Sequence, residues 1–472
     1  MQLWEMSATE MSAGVCARRF SAVEVMGSCL DRIEQVNPKL NALIDVRPEE
    51  ALADARRADE AVAAGERLGP LHGVPVSTKI DTAQAGRIYS LGLVSLADVR
   101  AEGDAACIAA LRESGAVFVG RSNAPAFSLR WFATNDAHGR TLNPWHAGHT
   151  PGGSSGGAAS AVAAGMTPVA HGNDIGGSIR YPAGCCGVVG IRPTVGLISN
   201  QEAPGEPTED LPLTIQSWVT AGPLARNVAD ARAALYAMAT ADLRDPFGAA
   251  AVRRIRSGPE PVRVKIVRDV ETAKPQAAVN AAIDRAAAWL GDAGYQVEET
   301  TLPELAEAAR LWLLLLGEEM RLIQPMLDEL GDEGLRTSSV YFYEKAAEYW
   351  GPAPDLEAYI QGWARRGTLI TQLQTMLGSS TILLTPVAAE PPFEQDADIL
   401  DAQRALDTFA AMWPMTSVPV LGFPAVAVPA GEADGLPLSV QLIGGKFTED
   451  ILLDAAQAIE DRAPRLTPVM RL

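Results

Sequence analysis

The chain has 472 residues, 47% of them hydrophobic and 21% charged, enough for a sizeable core and too apolar for a disordered protein. Its 39 basic and 58 acidic side chains leave a net charge of −19, which repels phosphate backbones and anionic lipid and makes nucleic acid and membrane surfaces poor partners. The five cysteines include no C-x-x-C, so neither a disulfide framework nor a zinc cluster is expected, and free thiols fit a reducing cytoplasm.

Taken in chain order, the N-terminal part reads as helices. It carries no basic leader, and the densest apolar run, residues 311–316, is too short to span a bilayer. Ser7 with Glu10 and Ser21 with Glu24 each make a capping box, in which the serine and the glutamate three residues on satisfy each other's free N–H groups. After the second box, Val25, Cys29, Leu30 and Ile33 recur near helical period. Residues 49–64, alanine-rich with mixed charge, predict a surface helix, and residues 74–79 and 116–119 predict short strands. Strands separated by helical stretches imply an α/β sheet with helices on its faces.

From residue 143 to 196 glycine, serine and proline crowd together while apolar residues stay frequent, the texture of a folded segment in which backbones pack closely. Residues 262–267 read as a strand after a Gly-Pro-Glu-Pro turn, with Arg253, Arg254 and Arg256 beside it on a solvated loop. Residues 276–290 and 305–330 read as helices, and residues 380–386 and 426–428 as strands.

Three pieces of this chain carry chemistry. Gly152-Gly153-Ser154-Ser155-Gly156-Gly157 formally contains G-x-S-x-G, the nucleophile elbow of α/β-hydrolases. That fold needs a histidine late in the chain, and none of the five histidines lies beyond His171. A phosphate cradle lacks both G-x-x-x-x-G-K-[ST] and G-x-G-x-x-G. In Asp174-Ile175-Gly176-Gly177-Ser178-Ile179-Arg180, two glycines before a serine can turn successive N–H groups toward one point, a nest for a developing oxyanion. A serine nucleophile needs a base, and with histidine badly placed a lysine is the next candidate. Lys79 ends the apolar strand His72-Gly73-Val74-Pro75-Val76-Ser77-Thr78-Lys79, where burial disfavours its ammonium.

Together these pieces resemble the amidase signature family. The match runs from Gly73-Val74-Pro75-Val76 and Lys79, through Thr150-Pro151 and the glycine–serine block, to Gly176-Gly177-Ser178-Ile179-Arg180 and Cys186-Gly187-Val188-Val189-Gly190-Ile191-Arg192-Pro193-Thr194. Gly422-Phe423-Pro424-Ala425 and Gly435-Leu436-Pro437-Leu438-Ser439-Val440-Gln441 continue it near the C-terminus. The resemblance implies a Ser–cis-Ser–Lys triad: Ser178 as acyl-forming nucleophile, Ser154 after a cis peptide bond as bridge, Lys79 as base. It further implies an oxyanion hole from the N–H groups of Ile175, Gly176, Gly177 and Ser178, with Ser155 as a supporting hydroxyl and Asp174 and Arg180 pinning the loop.

The implied fold is one α/β domain over residues 1–472, a central mixed, twisted sheet covered by helices on both faces. Within it, residues 1–65 form a helical segment, 66–200 the catalytic core, and 260–420 a more variable, partly helical part that shapes the substrate pocket. The implied reaction is hydrolysis of a carboxamide C–N bond, with esters as further substrates, and needs no metal and no organic cofactor. The expected partner is a small-molecule amide, and the expected assembly a homodimer. Two other readings share the fold: the glutamine-hydrolysing component of a tRNA-dependent transamidation complex, and a non-catalytic binding protein.

The aromatic residues carry a further expectation. Residues 305–361 and 411–423 hold Trp312, Met320, Tyr341, Phe342, Tyr343, Trp413 and Phe423, which favour an aryl or alkyl amide over a highly charged one. Trp131, Phe132 and Trp145 read as core or pocket wall, and His171, Cys185 and Cys186 as packed core. One departure from the family stands out. Where the family commonly has Asp-Asn after the lysine, this chain has Ile80-Asp81. In a continuing strand Asp81 would share a face with Lys79 and favour its ammonium, unless the chain turns or Asp81 is engaged elsewhere.

Overall fold

Both N-terminal capping boxes form. Ser7 and Ser21 accept from the N–H groups of Glu10 and Glu24, and each glutamate returns a bond to its serine, opening helices α1 (Ala8–Cys16) and α2 (Ala22–Leu40). The computed structural model describes residues 2–201, 210–240, 242–248, 262–270 and 273–472. Arg253, Arg254 and Arg256 and the Gly-Pro-Glu-Pro turn lie outside these residues.

Helix α3 (Pro48–Ala64) buries only alanines and a valine, Ala51, Ala55, Ala58 and Val62, on one stripe. Strand β1 (Pro75–Lys79), helix α4 (Ala106–Glu113) and strand β2 (Val117–Ser122) follow. A small hairpin, β3 (Thr134–Asn135) with β4 (Gly139–Arg140), stands apart from the main sheet. The glycine-rich segment supplies α5 (Gly156–Ala163), β5 (Val169–Asp174), α6 (Arg180–Cys186) and β6 (Val189–Arg192). Every residue of α5 is buried, which its sequence of glycine, alanine, serine and valine permits. A Cβ on Gly157 would stand 2.4 Å from the Asn123 backbone nitrogen, so the close approach requires glycine there.

The second half adds α7 (Leu213–Trp218), β7 (Thr220–Ala225), α8 (Val228–Met238), β8 (Arg263–Ile266), α9 (Ala277–Asp292) and β9 (Gln296–Glu299). Three long helices come next, α10 (Pro303–Leu330), α11 (Glu333–Trp350) and α12 (Leu356–Leu377), then β10 (Thr381–Pro386). The chain closes with α13 (Ala402–Ala411), α14 (Trp413–Leu421), β11 (Ala425–Ala433), β12 (Leu436–Ile443) and α15 (Glu449–Glu460).

Among the described residues, ten strands form one mixed sheet in the order β2-β1-β5-β7-β6-β11-β12-β10-β8-β9. The pairs β1/β2, β1/β5, β8/β10 and β8/β9 are parallel, and the rest antiparallel. Helices cover both faces, which accounts for strands such as β1, β2, β6, β7 and β12 being buried along their whole length. One apolar core packs α1–α3, α8, α9 and α15 on the sheet; the other packs α5, α6, α10 and α14. No helix among the described residues is long and apolar enough to cross a membrane.

Candidate active site

Parallel pairing of β1 with β5 is what assembles the site. Val76 pairs with Val169 and Ser77 with Ala170, so the C-terminal ends of both strands, Lys79 on one and Asn173-Asp174 on the other, reach the same edge. Lys79 is completely buried. Its Nζ lies 2.7 Å from Ser154 Oγ, 2.6 Å from Asn173 Oδ1 and 2.9 Å from Asp81 Oδ2.

Both alternatives left by the sequence for Asp81 occur, a turn and other partners, yet the carboxylate still meets Lys79. The chain does turn after Lys79, with Ile80 N–H donating to Ser122 O and Thr82 N–H to Lys79 O. That turn carries the carboxylate onto Lys79 rather than away from it. Asp81 also accepts from Ser128 Oγ at 2.6 Å and from Asn173 Nδ2 at 3.0 Å. Burial pushes the Lys79 ammonium below the ordinary lysine range, and the Asp81 carboxylate, with Asp174 behind it, pushes in the opposite direction. Burial alone would raise the Asp81 carboxyl, but Lys79 and the Ser128 and Asn173 donors hold it below the usual carboxylate range.

Ser154 follows a cis Gly153–Ser154 peptide and is 1% exposed. The preceding Gly152 has φ +81°, and a Cβ there would stand 2.5 Å from Pro182 Cα. Ser155 joins the two loops: its N–H donates to Ser178 O at 3.1 Å and its hydroxyl to Asn173 O at 3.4 Å. Ser178 is 5% exposed and ends the loop from β5 into α6.

Asp174 and Arg180 pin that loop. The Asp174 carboxylate accepts from Gly177 N–H at 2.9 Å, from Ile179 N–H at 3.2 Å, and from Arg180 through Nε and Nη2, both at 2.9 Å. Arg180 gives further bonds to Gln441 Oε1, Pro414 O and Met415 O. Burial would raise the Asp174 carboxyl, yet Arg180 and Arg192 bring it down to about 2. Because Gly177 N–H is engaged by Asp174, the four N–H groups of the nest are not equivalent. Those of Ile175, Gly176 and Ser178 have no acceptor within the protein among the described residues.

Ser178 lines a cavity walled by Trp131, Trp312, Phe342, Tyr343 and Phe409. The rings are in mutual contact: Trp131 stacks on Trp312 with centroids 6.2 Å apart, and Phe409 meets Trp131 at 5.3 Å and Phe342 at 5.9 Å. Two charged residues reach the wall, Arg130 and Asp398, and they neutralise each other through a two-pronged pair at 2.8 and 2.6 Å.

Of the aromatic and Met residues singled out from the sequence, Trp312, Met320, Phe342 and Tyr343 line this cavity. Tyr341 is absent from its wall, Trp413 lines a separate small cavity, and Phe423 is core. Trp131 is a pocket wall, whereas Phe132 packs on Phe393 and Trp145 donates to Cys186 O inside the core. His171 is buried beside Cys107, and burial pushes its imidazole below the usual range. Cys185 and Cys186 are buried free thiols. Sequence reasoning missed Asn173, Ser128 and Phe409. Asn173 had one usable signal, its position directly before the Asp174 loop. No cluster of three or more potential metal ligands occurs among the described residues.

The site thus holds a buried lysine in contact with Ser154, and Ser178 at the end of a loop in which the N–H groups of Ile175, Gly176 and Ser178 are free. The model of the Amidase family matches residues 24–453, and the chain belongs to that family, the amidase signature enzymes. It is an amide hydrolase. An indoleacetamide hydrolase from Bradyrhizobium diazoefficiens is 37% identical over 98% of this chain and 87% of that protein. The matching component of the glutamyl-tRNA(Gln) amidotransferase from Carboxydothermus hydrogenoformans is 32% identical over 98% of each. Among solved structures, a bacterial aryl acylamidase of the amidase signature family superposes with a TM-score of 0.80 at 26% identity, covering 98% of this chain and 96% of that one.

Proposed function

We propose that the protein hydrolyses neutral aryl or alkyl carboxamides through an acyl-enzyme on Ser178, with Ser154 and Lys79 as its proton relay. The observation that carries this reading is the Lys79 Nζ–Ser154 Oγ contact of 2.7 Å beside the aromatic cavity that opens on Ser178. A neutral lysine has two N–H bonds and one lone pair. With the two N–H bonds given to Asp81 and Asn173, the lone pair is left facing Ser154. Ser178 Oγ attacks the amide carbonyl while its proton passes to Ser154 and the Ser154 proton to Lys79. The new ammonium is then held by Asp81. The oxyanion is met by the free N–H groups of Ile175, Gly176 and Ser178, with Asp174 and Arg180 keeping the loop in shape. The proton returns through Ser154 to the leaving nitrogen, the C–N bond breaks, and water repeats the sequence on the acyl-enzyme. Esters follow the same course with an alkoxide leaving.

Two features support a neutral, apolar substrate. The wall is aromatic, and its one cation and one anion are already paired with each other. The relatives include an indoleacetamide hydrolase and an aryl acylamidase. The amidotransferase relatives favour a second reading, glutamine hydrolysis within a transamidation complex. Glutamine brings an ammonium and a carboxylate, and burying either without a partner is costly. Steady-state rates on a panel of arylacetamides, alkyl amides, anilides, esters and glutamine test this. We expect kcat/KM for neutral aryl or alkyl amides to exceed that for glutamine by about 100-fold or more. Preference for glutamine, with co-purification of the other components of such a complex, would replace the proposal by the second reading.

The proposal includes a cytoplasmic homodimer, since closed two-fold dimers are the commonest assembly. Sedimentation velocity at micromolar concentration is expected to give a dimer, and a strict monomer would contradict it.

A further inference from the structure

The two indoles that wall the cavity also hold the loop before Ser178. Trp312 Nε1–H donates to the carbonyl of Ile175 at 2.9 Å, and Trp131 Nε1–H to that of Gly176 at 2.9 Å. Such an approach requires bare backbone: a Cβ on Gly176 would stand 2.8 Å from Trp312 Cζ2. In a planar trans peptide the C=O and N–H point in opposite directions, so a bond to one fixes the aim of the other. The Ile175 carbonyl shares its peptide with Gly176 N–H, and the Gly176 carbonyl shares its peptide with Gly177 N–H. The second peptide is held at both ends, because Gly177 N–H donates to Asp174 Oδ1 at 2.9 Å. Among the described residues the first peptide is held by Trp312 alone, and its other end is the free Gly176 N–H.

We propose that Trp312 is a positioning residue for the oxyanion hole: its indole N–H fixes the Ile175–Gly176 peptide and so aims Gly176 N–H at the carbonyl under attack. The inference rests on Ser178 being the acylated residue. Accepting the indole bond also polarises that peptide and strengthens its N–H as a donor. The same side chain therefore serves two ends. Its ring face walls the substrate cavity, and its N–H sets a hydrogen bond that strengthens only as charge develops on the substrate oxygen.

Trp312→Phe keeps an aromatic face and removes the N–H. Loss of a whole oxyanion donor costs about 100- to 1,000-fold in kcat, so misaiming one is expected to cost about 10- to 100-fold. KM should stay within about 2-fold, because the lost interaction belongs to the transition state. The inhibition constant of a trifluoromethyl ketone analogue, which forms a tetrahedral adduct, should weaken by the same factor as kcat. An analogue with methylene in place of the carbonyl reports the change of ring face alone and should weaken far less than the ketone. Trp131→Phe, whose peptide keeps its Asp174 anchor, should lose less than about 5-fold in kcat. Should Trp312→Phe fold poorly, 3-benzothienylalanine at position 312 keeps the bicyclic shape with sulfur in place of N–H, and the same loss is expected. Wild-type kcat in these variants, or a loss confined to KM, would overturn the inference. A fluorophosphonate probe on the wild-type enzyme separates the two ideas: labelling at Ser178 keeps the acyl-enzyme reading whatever Trp312 does, and its absence there removes that reading first.

Discussion

Ser178→Ala is expected to abolish turnover, with kcat falling by about 10⁴-fold or more while a competitive inhibitor still binds. Access to the substrate decides this. Ser178 lines the substrate cavity, whereas Ser154 is 1% exposed, bonded to Lys79 and absent from the cavity wall. Ser155 is buried, its hydroxyl directed at Asn173 O. Neither can take over the attack. The loss therefore falls on the bond-forming step, and substrate contacts with Trp131, Trp312, Phe342 and Phe409 persist. Ser154→Ala should leave more activity than Ser178→Ala, because a water can stand between Ser178 and Lys79 where the hydroxyl was removed. Initial rates on the best amide of the panel, beside an inhibition constant for each variant, check both expectations. Substantial turnover in Ser178→Ala would exclude it as nucleophile.

Lys79→Arg is expected to lose about 10³-fold or more in kcat/KM, since a guanidinium stays protonated and cannot take the relayed proton. In the proposed relay the working form of Lys79 is the neutral amine. Activity should therefore fall as pH drops through the pKa of Lys79, which burial places below the ordinary lysine value of about 10.4. Asp81 sets how far below. Its carboxylate, 2.9 Å from Nζ, favours the ammonium and opposes the burial effect. Asp81→Asn keeps an oxygen to accept from Lys79 but removes the charge, so the pKa should fall and the acidic limb of kcat/KM should move to lower pH. Lys79/Ser154 double replacement should lose little more than the worse single one, as expected of one relay. Near-normal turnover in Lys79→Arg at neutral pH, or an acidic limb unmoved by Asp81→Asn, would count against these roles.

The local features of this chain are legible in its sequence because they are short-range. The capping boxes at Ser7 and Ser21 form with their own glutamates three residues on, and strand β1 ends at Lys79. The glycine–serine block around Ser154 is legible because bare backbone is needed where Gly152 meets Pro182 and Gly157 meets Asn123. What the sequence does not carry is adjacency. Nothing in residues 75–79 says that β5 is their parallel neighbour, so Asn173 could not be placed on Lys79. Alternation put Asp81 on the same face as Lys79 in a continuing strand; a turn brings it there instead, with Ser128 and Asn173 as its other partners. The pocket shows the same limit. The spacing of Trp312, Leu316 and Met320 gives one face of α10, and that face does line the cavity. Phe409 and Trp131 complete the wall from α13 and from the loop after β2, and no periodicity on α10 names its partners. Strands β5, β6 and β7 escaped prediction for a related reason: Gly172, Gly190 and Gly222 let them pack closely but weaken the alternation by which strands are recognised.

The most direct measurement of the central claim is peptide mass mapping after treatment with a fluorophosphonate, which phosphonylates an activated serine. The account predicts one adduct per chain, on the peptide bearing Ser178, formed more slowly as pH falls and missing in Ser178→Ala. An adduct on another residue, or active enzyme that takes up no probe at all, would contradict it.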